Sequence, residues 1–183
     1  MTEVQDLKYR QWFRGADVDG DGVITVEDVR LMGERFIAAR GATPGSKVAR
    51  RLTEGLEAFW TTVIAPMDSD ADGKVDLREM TEGFRRALAS PTQYPQQVGP
   101  VADCYFDLTD ADGDDRVDLA EFREIFGMAG NVSEEDCAAV FHSLDLDESG
   151  GLDRAEFHQA LMEFFYGDDP DAPAAHLFGR IAV

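Results

Sequence analysis

Long hydrophobic runs are missing from this sequence. No stretch approaches the roughly 18 apolar residues that a membrane-spanning helix needs, so a bilayer span is excluded. Basic residues are scarce: 17 Lys and Arg stand against 37 Asp and Glu, a formal charge of -20. Such a field repels nucleic acid and anionic lipid and attracts cations. No nucleic acid and no membrane is expected among its partners. Cysteine is limited to Cys104 and Cys137, with no paired motif. The start, MTEVQDLKYRQWF, shows no basic patch followed by an apolar stretch, so an export signal is not expected. Reduced thiols and a cytoplasmic location are the default expectation. Histidine is limited to His142, His158 and His176, without metal-ligand spacing. A Gly-rich phosphate loop, a nucleophile elbow and an HExxH motif are all absent, so an enzyme is not expected. The six methionines are scattered, unlike the Met-rich surface of a promiscuous groove. Aromatic residues are not lacking. Twelve Phe in a chain that is 44% hydrophobic give it a core to bury, which a disordered acidic tail has not.

What is abundant is aspartate, and it is periodic. One twelve-residue pattern occurs four times: DVDGDGVITVED from Asp17, DSDADGKVDLRE from Asp68, DADGDDRVDLAE from Asp110 and DLDESGGLDRAE from Asp145. Oxygen side chains stand at positions 1, 3, 5 and 9, an apolar residue at 8 and an acid at 12. Ca²⁺ takes about seven oxygens at roughly 2.3–2.6 Å, and a short loop supplies them only if alternate residues turn inward. Position 7 offers its backbone carbonyl, so its side chain is free to vary. The expected ligands are therefore Asp17, Asp19, Asp21, Val23, Thr25 and Asp28 in the first loop, and Asp68, Asp70, Asp72, Lys74, Asp76 and Glu79 in the second. The third supplies Asp110, Asp112, Asp114, Arg116, Asp118 and Glu121, and the fourth Asp145, Asp147, Ser149, Gly151, Asp153 and Glu156. Mutually repelling carboxylates become useful once an ion neutralises them. Four divalent ions would bring the charge from -20 to about -12.

The flanks have helical spacing. Phe13, Ile64, Phe106 and Phe141 lie four residues before the loops, and Val29, Met80, Phe122 and Phe157 directly after them. These are the inward positions of an entering and a leaving helix. Ile24, Val75, Val117 and Leu152 at position 8 suit a short antiparallel bridge between paired loops. The expected architecture is all-α: four helix-loop-helix units in two compact lobes, with short β-bridges between paired loops.

Two loops depart from the pattern. The third has Asp115 at the sharp turn usually taken by Gly, where φ > 0 costs a non-glycine residue roughly 1 kcal/mol. The first ends in Asp28, one methylene shorter than Glu. Bidentate reach is then poor, and six-coordinate geometry favours Mg²⁺. Three or four Ca²⁺ are expected, with Mg²⁺ competing most at the first loop.

The repeated loops identify an EF-hand chain, and its layout resembles the sarcoplasmic calcium-binding proteins and their bacterial relative calerythrin. The loop starts lie 51, 42 and 35 residues apart. The long first interval, the early aromatic-rich helix, the Asp closing the first loop and an apolar C-terminal extension carry the resemblance across nearly the whole chain. Arg outnumbers Lys fourteen to three, a compositional hint of a GC-rich bacterial genome. The resemblance implies a cytosolic Ca²⁺/Mg²⁺ buffer, expected to be a monomer. That family usually lacks at least one working loop, whereas the second loop is intact here. The expected division is an N-terminal pair at 1–90, a C-terminal pair at 98–166, and a tail at 167–183 whose Leu177, Phe178 and Ile181 plug the cleft. Two alternatives remain open. One is a Ca²⁺ sensor exposing an apolar groove to a target protein. The other is a luciferin-type small-molecule carrier with Trp12, Trp60, Tyr105 and His158 around a cavity.

Overall fold

Thr2 starts the first helix with a reciprocal cap: its hydroxyl accepts from Gln5 N, and Gln5 Oε1 accepts from Thr2 N. This helix, α1 (Glu3–Ala16), ends where Asp17 opens the first loop. α2 (Val26–Ala39) leaves that loop, and Arg40 forms its C-cap. A turn over Gly41–Ser46 leads to α3 (Lys47–Phe59). The helical pattern that follows the Gly41–Ser46 turn predicts one long helix continuing to Met67. The chain does stay helical, but its winding changes. A π-helical turn spans Trp60–Ile64, with Ala65 N bonded to Trp60 O, and a 3₁₀ turn spans Ala65–Met67. Pro66 has no N–H for the carbonyl four residues back, so the helix widens and then tightens around that gap.

Beyond the second loop comes α4 (Leu77–Ala87); α5 (Gly99–Thr109) leads into the third loop. α6 (Leu119–Phe122) leaves it and passes into a π-helical turn at Arg123–Gly127. α7 (Glu134–Leu144) and α8 (Arg154–Tyr166) flank the fourth loop, and a 3₁₀ turn at Pro173–His176 follows. This computed structural model describes residues 2–88, 92, 95, 99–127, 132–179 and 181, without the side chains of Val48, Arg51, Val101 and Cys104. Most of the ASPTQYPQQVGP segment, Met128 and the Cys104 thiol therefore lie outside the described residues. The fold is mostly helical, with eight α-helices and two short two-stranded sheets among the described residues.

The expected bridges form. Strand β1 (Val23–Ile24) pairs antiparallel with β2 (Val75–Asp76), placing Ile24 opposite Val75. Strand β3 (Val117–Asp118) pairs with β4 (Gly151–Leu152), placing Val117 opposite Leu152. The four position-8 side chains are buried, as are the flanking residues four before and one after every loop. One apolar cluster runs through all four units. Its seam is aromatic: Trp12 meets Phe84, Phe84 meets Phe165, and Phe59 meets Tyr105. Gly83 permits close packing inside the first pair, because a Cβ there would stand 2.7 Å from Met67 Cγ.

Polar contacts sew distant parts together. Arg40 Nε pairs with Glu124 Oε1 at 2.6 Å, both largely buried, and its NH2 group donates to Leu108 O at 2.8 Å. Lys8, fully buried on α1, donates to Glu163 O at 3.2 Å and to Gly167 O at 2.7 Å. Gln5 and Tyr9 donate to Tyr166 O and Phe165 O. Three side chains of the first helix thus hold the carbonyls at the end of the last one.

Candidate metal centres

Each loop folds around its first carboxylate. Asp17, Asp68, Asp110 and Asp145 accept the backbone N–H at position 6 through one oxygen, from Gly22, Gly73, Asp115 and Gly150 at 2.9–3.2 Å. The residue at position 3 accepts from position 5 in all four loops. This curl needs left-handed backbone at position 6. Gly22, Gly73 and Gly150 supply it with φ of 92°, 82° and 88°, and Asp115 adopts 63° in the third loop. Position 4 is left-handed too, including the non-glycine Ala71 and Glu148, a requirement the sequence pattern does not announce.

Positions 9 and 12 serve twice. Thr25, Asp76, Asp118 and Asp153 are the N-caps of the leaving helices, and Asp28, Glu79, Glu121 and Glu156 close the capping boxes. The position-12 carboxylate also reaches back across the loop to the N–H of position 2. Asp28 Oδ1 accepts from Val18 N at 2.9 Å, Glu79 Oε1 from Ser69 N at 3.0 Å, Glu121 Oε1 from Ala111 N at 2.7 Å and Glu156 Oε1 from Leu146 N at 2.8 Å. The shorter Asp28 makes the same closure as its longer counterparts. Ser69 Oγ donates to Glu79 as well, at 2.7 Å, and this bond is the first cause holding the Glu79 carboxyl below its usual range. Burial pushes Glu121 upward. The Ser149 hydroxyl beside Asp147 holds that carboxyl low.

Carboxylate oxygens gather in every loop. The clusters are Asp17, Asp19 and Asp28; Asp68, Asp70 and Asp72; Asp110, Asp112 and Glu121; and Asp145, Asp147 and Glu156, with the ligating atoms of each group within 4.8 Å of one another. Two oxygens at about 2.4 Å on opposite sides of one Ca²⁺ are separated by about that distance. In the second loop the cluster forms from positions 1, 3 and 5, while Glu79 is held by Ser69. Asp28, Glu79, Asp110 and Asp145 are buried, and among the described residues none is ion-paired with a side chain. Their charge is met here by N–H and O–H donors, and a cation among them would neutralise it. A hard, oxygen-seeking divalent ion fits this donor set.

Other candidate residues are dispersed. Trp12 Nε1 donates to Tyr105 OH at 3.1 Å, and both line a central cavity of about 30 Å³ with Phe36, Phe59 and Phe178. Trp60 lies instead on an outer groove between α2 and α3, and His158 pairs with Asp103 at 3.0 Å. The four aromatics do not share one cavity. Cys137 is buried, and burial pushes its thiol up to about 11. In the tail, Leu177 and Phe178 are buried and Ile181 is half-buried. Lys8, Arg40 and Glu124 escape a motif search. Lys8 alone leaves a trace, since it falls on the apolar stripe of Val4, Trp12 and Ala16.

Family comparisons agree with the geometry. An EF-hand domain pair matches residues 101–174, and an EF hand matches residues 10–32. Obelin of Obelia longissima is 27% identical over 172 residues, covering 90% of this chain and 85% of that one. The coelenterazine-binding protein of Renilla muelleri, in its calcium-loaded apo form, superposes with a TM-score of 0.76 at 20% identity, over 99% of this chain and 100% of that one. A sarcoplasmic calcium-binding protein from amphioxus gives 0.73 at 20% identity, over the whole of both chains. No helix among the described residues is long and apolar enough to cross a membrane. With four acidic cradles built on one helix-loop-helix plan, the chain is a calcium-binding protein of the EF-hand family.

Proposed function

We propose that the protein is a Ca²⁺/Mg²⁺ buffer rather than a switch. Each loop binds its ion through positions 1, 3, 5, 7, 9 and 12, from Asp17 to Glu156, and the first site exchanges Ca²⁺ with Mg²⁺ through the short Asp28. The chain works as two pairs, 1–90 and 98–166, with the tail as a seal. The observation that carries this reading is Phe178. It is 3% exposed and packs against Phe126, Phe164 and Tyr105, with ring centroids 5.4, 4.8 and 5.9 Å away. A sensor exposes such a surface when calcium binds; here the chain's own segment occupies it. The central cavity also speaks against a resident carrier. At about 30 Å³ it is far below the roughly 300 Å³ of a small-molecule site.

One observation supports the sensor reading. A groove of about 560 Å³ between α2 and α3 is lined by Val26, Val29, Ile37, Leu56 and Trp60, and α2 starts within the first loop. The two readings differ in apolar exposure. Calcium calorimetry with and without millimolar Mg²⁺, alongside hydrophobic-dye fluorescence, tests the buffer. At least three ions, Mg²⁺ competition at one site and no calcium-dependent rise in dye signal are expected. Two or fewer ions, or a large dye response to calcium, would reject it.

A further inference from the structure

Arg116 stands at position 7 of the third loop, where a carbonyl is needed and the side chain is free. Its guanidinium crosses to the fourth loop. Nη1 donates to Ser149 Oγ at 2.5 Å and to Gly151 O at 3.1 Å. These are positions 5 and 7 of the fourth loop, two of its six proposed ligands. The arrangement is built in from both sides. Pairing of Asp118 with Gly151 brings residue 116 alongside the fourth loop. The arginine stem lies directly over Gly151: a Cβ there would meet it in ordinary contact, 3.5 Å from Arg116 Cβ and 3.7 Å from Arg116 Cδ. Gly151 is buried under that stem, whereas Val23, Lys74 and Arg116 at the same position of the other loops are half-buried or exposed. Ser149 is the one position-5 ligand without a carboxylate. Among the described residues, no Lys or Arg is hydrogen-bonded to a proposed ligand oxygen of the other three loops.

We propose that Arg116 is an internal cation that competes with calcium for the fourth loop. It occupies the Ser149 hydroxyl and the Gly151 carbonyl when the ion is away. It must release them when the ion arrives, because a guanidinium and a divalent cation cannot share the same two oxygens without strong repulsion. Affinity at this loop is thereby set below what its four carboxylates would give. The third and fourth loops are also linked through one residue, which offers its carbonyl to the former and its guanidinium to the latter. The proposal rests on the reading that the fourth loop binds calcium.

The test is a calcium titration of the full chain followed by NMR at the Gly150 amide. That amide bonds to Asp145 Oδ2 at 2.9 Å and reports the fourth loop alone. Arg116→Gln should lower the calcium concentration at half-saturation about fivefold, the worth of one lost polar contact. The gain should persist in about 0.5 M potassium chloride, where the screening length is only about 4 Å. Equal half-saturation in parent and variant would overturn the proposal. So would a gain that disappears in salt, which would mark a diffuse charge effect without occupancy. A Gly150 amide that responds to calcium in neither protein would overturn the reading of the loop and this proposal with it.

Discussion

Truncating Phe178 to alanine removes one ring from a closed aromatic cluster and touches no loop. The ring is 3% exposed, with Phe164, Phe126 and Tyr105 around it at centroid distances of 4.8–5.9 Å. Phe→Ala at such a site costs about 3–5 kcal/mol, combining lost transfer energy with the cavity left behind. A chain of this size loses roughly 2–4 °C of melting temperature per kcal/mol. Phe178→Ala should therefore melt roughly 10 °C below the parent by scanning calorimetry of the calcium-loaded protein. The opened cluster should bind a hydrophobic dye that the parent ignores. Calcium stoichiometry should not change, since no ligand is altered. A variant with the parent's melting temperature and dye signal would refute the seal, and with it the main support for a buffer.

Glu79→Gln should abolish binding at the second loop and weaken the first through the β1–β2 bridge; calorimetry showing both sites intact would reject the ligand assignment. Asp115→Gly should relieve the left-handed strain, recorded at φ 63°, and tighten the third loop about fivefold if the roughly 1 kcal/mol cost falls on the bound form. A calcium titration with unchanged affinity there would show that the turn is equally strained without the ion. Lys8 offers a pH test. Burial lowers its pKa to about 8, and nearby Glu163 and Asp168 only partly oppose this. The unfolded chain holds that proton to about pH 10.5, so between these values it binds more protons than the folded chain and stability rises with pH. The full swing is about 3 kcal/mol. Cys137, pushed up to about 11, and Tyr9 act in the opposite sense above about pH 9. The comparison is therefore made against Lys8→Met. Urea melts from pH 8 to 10 should show the parent gaining on the variant, and a constant difference would refute the buried charge.

The loops were legible because their chemistry is local. Twelve residues suffice to wrap an ion, and each proposed ligand stands at a fixed offset from Asp17, Asp68, Asp110 or Asp145. The bridges were legible for the same reason, since position 8 is apolar in all four loops. Even the cap at position 9 and its partner at position 12 follow the general signature of a helix start. The seam between distant helices was not legible. Arg40 and Glu124 are 84 positions apart in the sequence, and nothing periodic relates them. Lys8 falls on the apolar stripe of its helix, but its partners, Glu163 O and Gly167 O, have no sequence signal. The widened turn at Trp60–Ile64 answers to a single Pro66, which a helical stripe averages away.

The fastening of α1 to the end of α8 also orders events in time. Gln5, Lys8 and Tyr9 find their acceptors 155–161 residues later in the chain. During synthesis the first helix emerges long before the carbonyls that it will hold, and its lysine must wait in water until they arrive. Closing so long a loop is slow. The individual loops and their bridges, built from nearer neighbours, can form first. The fastening of the amino-terminal helix to α8 is then expected late in folding. A chain cut short before Glu163 would leave that helix held only by its neighbours earlier in the chain, such as Phe84 against Tyr9 and Trp12, however well its loops were made.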